Sequence, residues 1–178
     1  MREGFVVLRK LSEYLLLNEG TIVMHGSVVA YKNSAFMFTA ESGVGKTTHS
    51  KLWTSNIKDA FIVNGDKPFI SSQGDIVAWG SPWCGSERYS RNIGVPLKAI
   101  CLVERAENNS ICEISYKEAL PQLALQVGNP NNENDAFRPI ILDALYSILR
   151  RIKLYRFKMN NYKEDAFATS FQELSRLY

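Results

Sequence analysis

Residues 35–47 read Ala35-Phe36-Met37-Phe38-Thr39-Ala40-Glu41-Ser42-Gly43-Val44-Gly45-Lys46-Thr47. An apolar run leads into a glycine-containing loop that ends in Lys-Thr, and a helical pattern with Leu52 and Trp53 follows. Strand, loop and helix in that order make a polyphosphate site, the P-loop or Walker A pattern, here with Ala40 in place of the first glycine. Gly43 and Gly45 let the backbone curl so that successive N–H groups point inward. The helix N-terminus adds partial positive charge, which favours an anion. Lys46 reaches the β- and γ-phosphates and the Thr47 hydroxyl can ligate Mg2+. The expected nucleotide-binding set is Glu41, Ser42, Gly43, Val44, Gly45, Lys46, Thr47 and Thr48.

Composition narrows the setting. A chain of 178 residues with 46% hydrophobic content suits one domain with a sizeable core. The net charge of +3 is spread along the chain, without the basic stripe that nucleic-acid binding needs. The three cysteines, Cys84, Cys101 and Cys112, form no C-x-x-C pair, which argues against a disulfide framework or a zinc site. Cys101 and Cys112 read as core residues, and Cys84 as the candidate reactive thiol. No apolar run approaches membrane-spanning length and no signal-peptide pattern opens the chain, so the expectation is a cytoplasmic protein with neither membrane nor nucleic acid as partner.

Working outward, residues 11–17 predict a short helix stopped by Gly20. Residues 22–31 predict one strand, turned by Lys32-Asn33-Ser34 into a return strand over 35–39. Further strands are expected at 60–63, 69–71, 76–79, 98–103, 111–115 and 154–157. Helices are expected at 116–126, along the face Ile141, Leu145, Ile148 and Ile152, and near Phe167 and Phe171. Residues 128–134 read as a polar loop. Irregular alternation with frequent hairpins predicts a mixed sheet. The aperiodic stretch Gly80–Gly94 predicts a functional loop that orders over the phosphates, with Trp79 and Trp83 as its packing anchors.

Several other segments share a pattern with the P-loop. His25-Gly26 lies on the strand before it, and Thr48-His49 and Leu52-Trp53 on the helix after it. Asn64-Gly65-Asp66-Lys67-Pro68 closes the next strand. Gly80-Ser81-Pro82-Trp83-Cys84-Gly85 and Pro96-Leu97-Lys98-Ala99-Ile100 come later. The combination resembles the kinase domain of the HPr kinase/phosphorylase family, and more closely its short HPr-kinase-like, phosphoenolpyruvate-carboxykinase-like relatives, from about Ile22 to the C-terminus. The resemblance implies an α/β fold, a single mixed-sheet P-loop domain of the HPr kinase C-terminal or phosphoenolpyruvate carboxykinase type over residues 1–178. It implies ATP and Mg2+, and γ-phosphoryl transfer to a hydroxyl of a peptide, protein or small molecule, with self-association into a homo-oligomer left open.

Three departures bear on function. Gly65 stands where the family has the first of two adjacent aspartates, so Asp66 remains alone. Thr48 replaces the glutamate that follows the loop in the HPr enzymes. The Glu-Ile-Arg-Gly signature is absent, which argues against HPr as acceptor and against phosphorolysis.

Asp66, His25 and Lys46 are the candidate catalytic residues, with Thr47 and Asp66 as metal ligands. A metal-bound carboxylate is a poor base, so one aspartate cannot easily serve both roles. Asp66 also fits an ordinary turn after Asn64-Gly65, and His25 an ordinary strand histidine. His49 reads as a packing residue. Glu41 can orient water or metal but also repels phosphate. Arg88 and Arg91 are second-tier candidates for the γ-phosphate or an acidic substrate. The main rival to a kinase is a nucleotide-binding regulatory or scaffold module that has lost catalysis, favoured by Gly65. A phosphoenolpyruvate carboxykinase activity is disfavoured, because the chain is short for a second metal site and an oxaloacetate pocket.

Overall fold

The computed structural model describes residues 2–128, 135–160 and 165–178; of the polar loop expected at 128–134, only Gly128 lies within them. The elements run α1 (Arg2–Asn18), β1 (Thr21–Val23), β2 (Ser27–Tyr31), β3 (Ser34–Thr39), α2 (Lys46–Asn56), β4 (Phe61–Asn64), β5 (Phe69–Ser71), β6 (Val77–Trp79), β7 (Gly94–Arg105), β8 (Ser110–Glu113), α3 (Tyr116–Ala124), α4 (Arg138–Leu149), β9 (Lys153–Met159) and α5 (Asp165–Leu174), with single 3-10 turns before α4 and after α5.

One long strand organises the sheet. The start of β7 pairs antiparallel with β6, which continues through β5 to β1. The remainder of β7 lies parallel between β3 and β9. On the β3 side follow β2 and then β4, each antiparallel to its neighbour, and β8 closes the other edge against β9. The sheet is mixed, as the irregular alternation predicts.

Side chains alternate across it with the two-residue period of a strand. Ala35 and Met37 of β3 face a core completed by Leu123, Leu145 and Ile148 of α3 and α4. Phe36 and Phe38 face the opposite core, with Trp53 of α2 and Leu174 of α5. Phe36 lies 5.3 Å from Trp53 and Phe38 lies 6.2 Å from it, ring centre to ring centre. Such aromatic pairs add about 0.5–1.5 kcal/mol each beyond area burial, and they seat α2, which carries the P-loop's last residues.

Four expectations need correction. The strand expected over 22–31 is interrupted: Met24 bridges to Val127, the His25 N–H donates to the Gln126 carbonyl at 2.7 Å, and β2 begins only at Ser27. Gly26 sits so close to β3 that a Cβ there would lie 2.4 Å from the end of the Met37 side chain and 3.0 Å from the Phe38 carbonyl oxygen, so a side chain at the break requires Met37 to move. The first helix starts at Arg2, not near Leu11, because Phe5-Val6-Val7-Leu8 is helical yet largely exposed and shows no one-sided apolar pattern. β7 extends from Gly94 through Pro96, beyond the expected 98–103. Cys112 is exposed on the edge strand β8, whereas Cys101 is buried as expected.

Candidate functional site

Sheet order brings the motif residues together. β3 and β4 run in the same direction with antiparallel β2 between them. The loop leaving β3, the turn leaving β4 and the entry to β2 therefore share one edge of the sheet. They carry Lys46 and Thr47, Asp66, and His25 respectively.

The P-loop closes as its glycines predict. Gly43 and Gly45 have φ of 82° and 114°, a region L side chains rarely adopt. Gly45 stands at the N-cap of α2 and, having no side chain, leaves that helix end without a side-chain cap. A helix end left so is a ready anion site. The Lys46 ammonium is buried and donates to the carbonyls of Ala40 and Glu41, at 2.9 Å each. Burial pushes it below its usual value, opposed by Asp66, with nearby Lys67 adding to the depression. The Thr47 hydroxyl donates to the Gly65 carbonyl at 3.1 Å, which leaves its lone pairs to face the cavity. From outside, the Arg105 guanidinium donates to the Gly43 carbonyl and braces the loop.

Asp66 is positioned by Asn64. The buried Asn64 carboxamide oxygen accepts from the Asp66 and Lys67 N–H groups at 2.9 and 2.8 Å, an Asx turn. Its amide nitrogen donates to the Ser81 carbonyl and hydroxyl oxygens at 3.0 and 3.2 Å, tying this turn to the long loop. The Asp66 carboxylate lies 3.4 Å from His25 Nε2. On the other side of the ring, Nδ1 lies 3.2 Å from the Gln126 carboxamide oxygen. With Nδ1–H donating to Gln126, neutral His25 presents the Nε2 lone pair toward Asp66. Burial lowers the imidazole's proton affinity most, Lys46 and Lys67 lower it further, and Asp66 and Gln126 oppose them. The ring is consequently neutral at pH 7.

His25, Ser42, Gly43, Gly45, Lys46, Thr47, Thr48, Gly65 and Asp66 line one cavity of about 440 Å3, closed on the far side by the Cys84–Glu87 segment. Glu41 and Val44 instead face a neighbouring cavity lined by Leu102, Val103 and Gln122. Arg88 is exposed, and neither it nor Arg91 lines the phosphate cavity. The Arg91 guanidinium stacks 4.6 Å from the Phe61 ring, at the opposite end of β4. Among the described residues the cation that lines this cavity is Lys46, with Lys67 close enough to act on it electrostatically.

The long loop is held at both ends. Gly65 N–H donates to the Tyr89 carbonyl, Arg91 N–H to Val63 and Lys67 N–H to Trp83. Its tip is tied to α2 by a 2.7 Å Lys51–Glu87 ion pair. Trp83 packs against Phe5 and Phe69, as an anchor should, whereas Trp79 is 44% exposed. His49 is fully buried between Phe38 and Phe157, the packing role its sequence suggests.

Sequence reasoning missed Gln126, Lys67 and Arg105. Lys67 stands inside the quoted Asn-Gly-Asp-Lys-Pro segment, whereas nothing local marks Gln126 or Arg105. A larger cavity, about 580 Å3, lies at the other end of β7 and β9 and is lined by Lys98, Arg150, Arg151 and Lys153. There Lys153 pairs with Glu113, and Arg151 donates to the carbonyls of Ser72 and Gly74. Its lining includes neither the glycine loop nor the start of α2.

Among the described residues no three His, Cys, Asp or Glu side chains cluster as a metal site, and no helix is long and apolar enough to cross a membrane. Mg2+ characteristically takes one or two protein ligands and completes its shell with phosphate oxygens and water. Thr47 and Asp66 on one cavity wall fit that pattern.

No protein-family model matches the sequence, and no curated protein matches it. Among solved structures, the HPr(Ser) kinase/phosphatase from Coxiella burnetii matches over 87% of this chain and 90% of its own, with a TM-score of 0.50 and 9% identity. At that identity the likeness is one of fold, and it places the chain in the mixed α/β architecture of the HPr kinase type.

Proposed function

We propose that the protein is an ATP-dependent phosphotransferase that moves the γ-phosphoryl group of ATP to a hydroxyl. The observation that carries this reading is the meeting of Lys46, Thr47, Asp66 and His25 around one cavity, at the edge where β3 and β4 end. The uncapped α2 N-terminus and Lys46 hold the triphosphate; the ammonium exchanges its loop carbonyls for phosphate oxygens. Thr47 and Asp66 are the residues that would hold Mg2+, whose charge would offset that on the phosphoryl oxygens.

The acceptor oxygen bonds to the γ-phosphorus as the bond to the bridging oxygen breaks, and ADP leaves with that electron pair. The hydroxyl proton passes to the Nε2 lone pair of neutral His25. His25 thus fills the place left by Gly65. Asp66 is released from acting as base, and it stabilises the imidazolium that forms.

Calorimetry with ATP and Mg2+ tests the binding half. Lys46→Ala is expected to weaken ATP at least tenfold and adenosine hardly at all, a charge-assisted phosphate contact being worth about 1.5–3 kcal/mol. Asp66→Asn is expected to abolish ADP formation in a folded protein. ATP binding with no transfer to any hydroxyl compound would instead identify a nucleotide-binding module.

A further inference from the structure

Beside the phosphate cavity lies another of about 270 Å3, and His25 lines both. Its walls are Arg9 and Glu13 of α1, Val23 of β1, Lys67, and the Leu125–Gly128 turn after α3. It is polar and built. The Glu13 side chain is only 5% exposed, although most of its helix is exposed or half-buried. Arg9 Nε lies 3.5 Å from it, and that buried nitrogen has no hydrogen-bond partner among the described residues. Burying ionisable groups with incomplete partners is costly unless another group completes them. Burial raises the proton affinity of Glu13, while Arg9, Lys67 and Lys10 oppose that shift.

We propose that this cavity receives the phosphoryl acceptor, and that the acceptor carries a carboxylate beside its hydroxyl. The inference rests on the phosphotransferase reading above. Among the side chains that line the cavity, Arg9 and Lys67 against Glu13 leave one positive charge uncompensated in a walled space, and a single carboxylate on the ligand compensates it. That carboxylate takes the Arg9 guanidinium and the Lys67 ammonium. The hydroxyl then reaches His25, the one side chain that lines both cavities, where its oxygen meets the γ-phosphorus and its proton leaves to Nε2. The volume suits a group of a few heavy atoms, below the range of drug-sized pockets. A free hydroxy acid and a serine flanked by acidic residues share this chemistry.

The test uses the full chain with Mg2+ and ATP labelled at the γ-phosphate. Glycerate and N-acetylserine represent free hydroxy acids, and acetyl-Asp-Ser-Asp-amide represents an acidic peptide. Glycerol and N-acetylserinamide are the uncharged counterparts. Label is expected in at least one carboxylated probe and at least tenfold less in the matching neutral one. Transfer to glycerate or N-acetylserine alone assigns the free acid, and transfer to the peptide alone assigns the flanked serine. Arg9→Gln is expected to raise the KM for that probe about tenfold or more, with ATP affinity by calorimetry within about twofold, and Arg9→Lys is expected to recover part of the loss. Equal labelling of neutral probes, or an unchanged KM in Arg9→Gln, overturns the proposal. So does ATP binding with neither labelling nor a shift of the Val127 and Gly128 amide resonances by any carboxylated probe. A wild-type protein that does not bind ATP overturns the phosphotransferase reading itself.

Discussion

Replacing His49 with Phe removes one titratable group from the middle of the fold, and the loss can be read in the pH dependence of stability. His49 is 0% exposed, with ring centres of Phe38 and Phe157 at 4.6 and 4.8 Å. Its Nε2 lies 2.9 Å from the Ser170 hydroxyl, which also accepts from Trp53 Nε1 at 3.0 Å and donates to the Phe167 carbonyl at 3.0 Å. The Ser170 proton being committed, Nε2 carries the histidine proton and Nδ1 is a bare lone pair without a partner among the described residues. A second proton would sit on that nitrogen in a dry aromatic cage, so burial pushes the ring from 6.5 down to about 3. The unfolded chain therefore takes up a proton that the folded protein refuses. Stability from this group is complete above pH 6.5 and is lost as pH falls toward about 3. The slope approaches about 1.4 kcal/mol per pH unit, hence about 2.3 kcal/mol between pH 6.5 and about 4.5. Urea unfolding of wild type and His49→Phe across that range is the assay, the carboxylates contributing equally to both. The wild type should lose about one proton's slope more than the variant. Parallel stability–pH lines would refute the argument, whatever the variant costs at pH 7.

Two further predictions concern the phosphate edge. His25→Asn should lower ADP formation about 10²–10⁴-fold, the usual worth of a general base, with ATP affinity retained. Gly65→Asp in that background should restore part of the rate, since a second carboxylate can accept the proton. Gly65 is not at positive φ, and an added Cβ would lie 3.2 Å from the Cys84 carbonyl, so a loop shift of a few tenths of an ångström accommodates it. Kinetics of the double variant decide, and a rate no better than His25→Asn alone would count against the division of roles between His25 and Asp66. In wild type the acid limb of the pH–rate profile should fall below 6.5, the ordinary histidine value, and Lys67→Gln should move it upward, because Lys67 is among the charges that depress His25. An unmoved limb would show that His25 does not set it.

The phosphate half of the site was legible because its signals are local. A glycine loop between a buried strand and a helix, followed by Lys46-Thr47, dictates its own geometry, and Asn64-Gly65-Asp66 dictates an Asx turn. The acid–base half was legible only in part. His25 sits beside Asp66 because β2 is antiparallel between β3 and β4, a pairing no spacing along the chain encodes. Gln126 reaches the ring from a turn 101 positions away. Arg88 and Arg91 drew notice as loop arginines near a glycine-rich segment. The backbone bond from Arg91 to Val63 instead turns its side chain onto Phe61. The start of α1 escaped periodicity because its first turns bury little, and helix signals from sequence depend on a buried face.

The placement of β7 also governs when the site comes into being. His25, Lys46 and Asp66 all precede β5 in the chain, yet β3 finds its parallel neighbour only when residues 97–102 arrive. That neighbour is secured on its far side only by residues 153–159, and α3 and α4, which cover one face of the sheet, lie between these two strands in sequence. Parallel pairing over such separations is slow, because the entropy of closing the loops precedes any gain from contact. A nascent chain bearing every signature residue is therefore still an unformed pocket until residues 153–159 have joined the sheet.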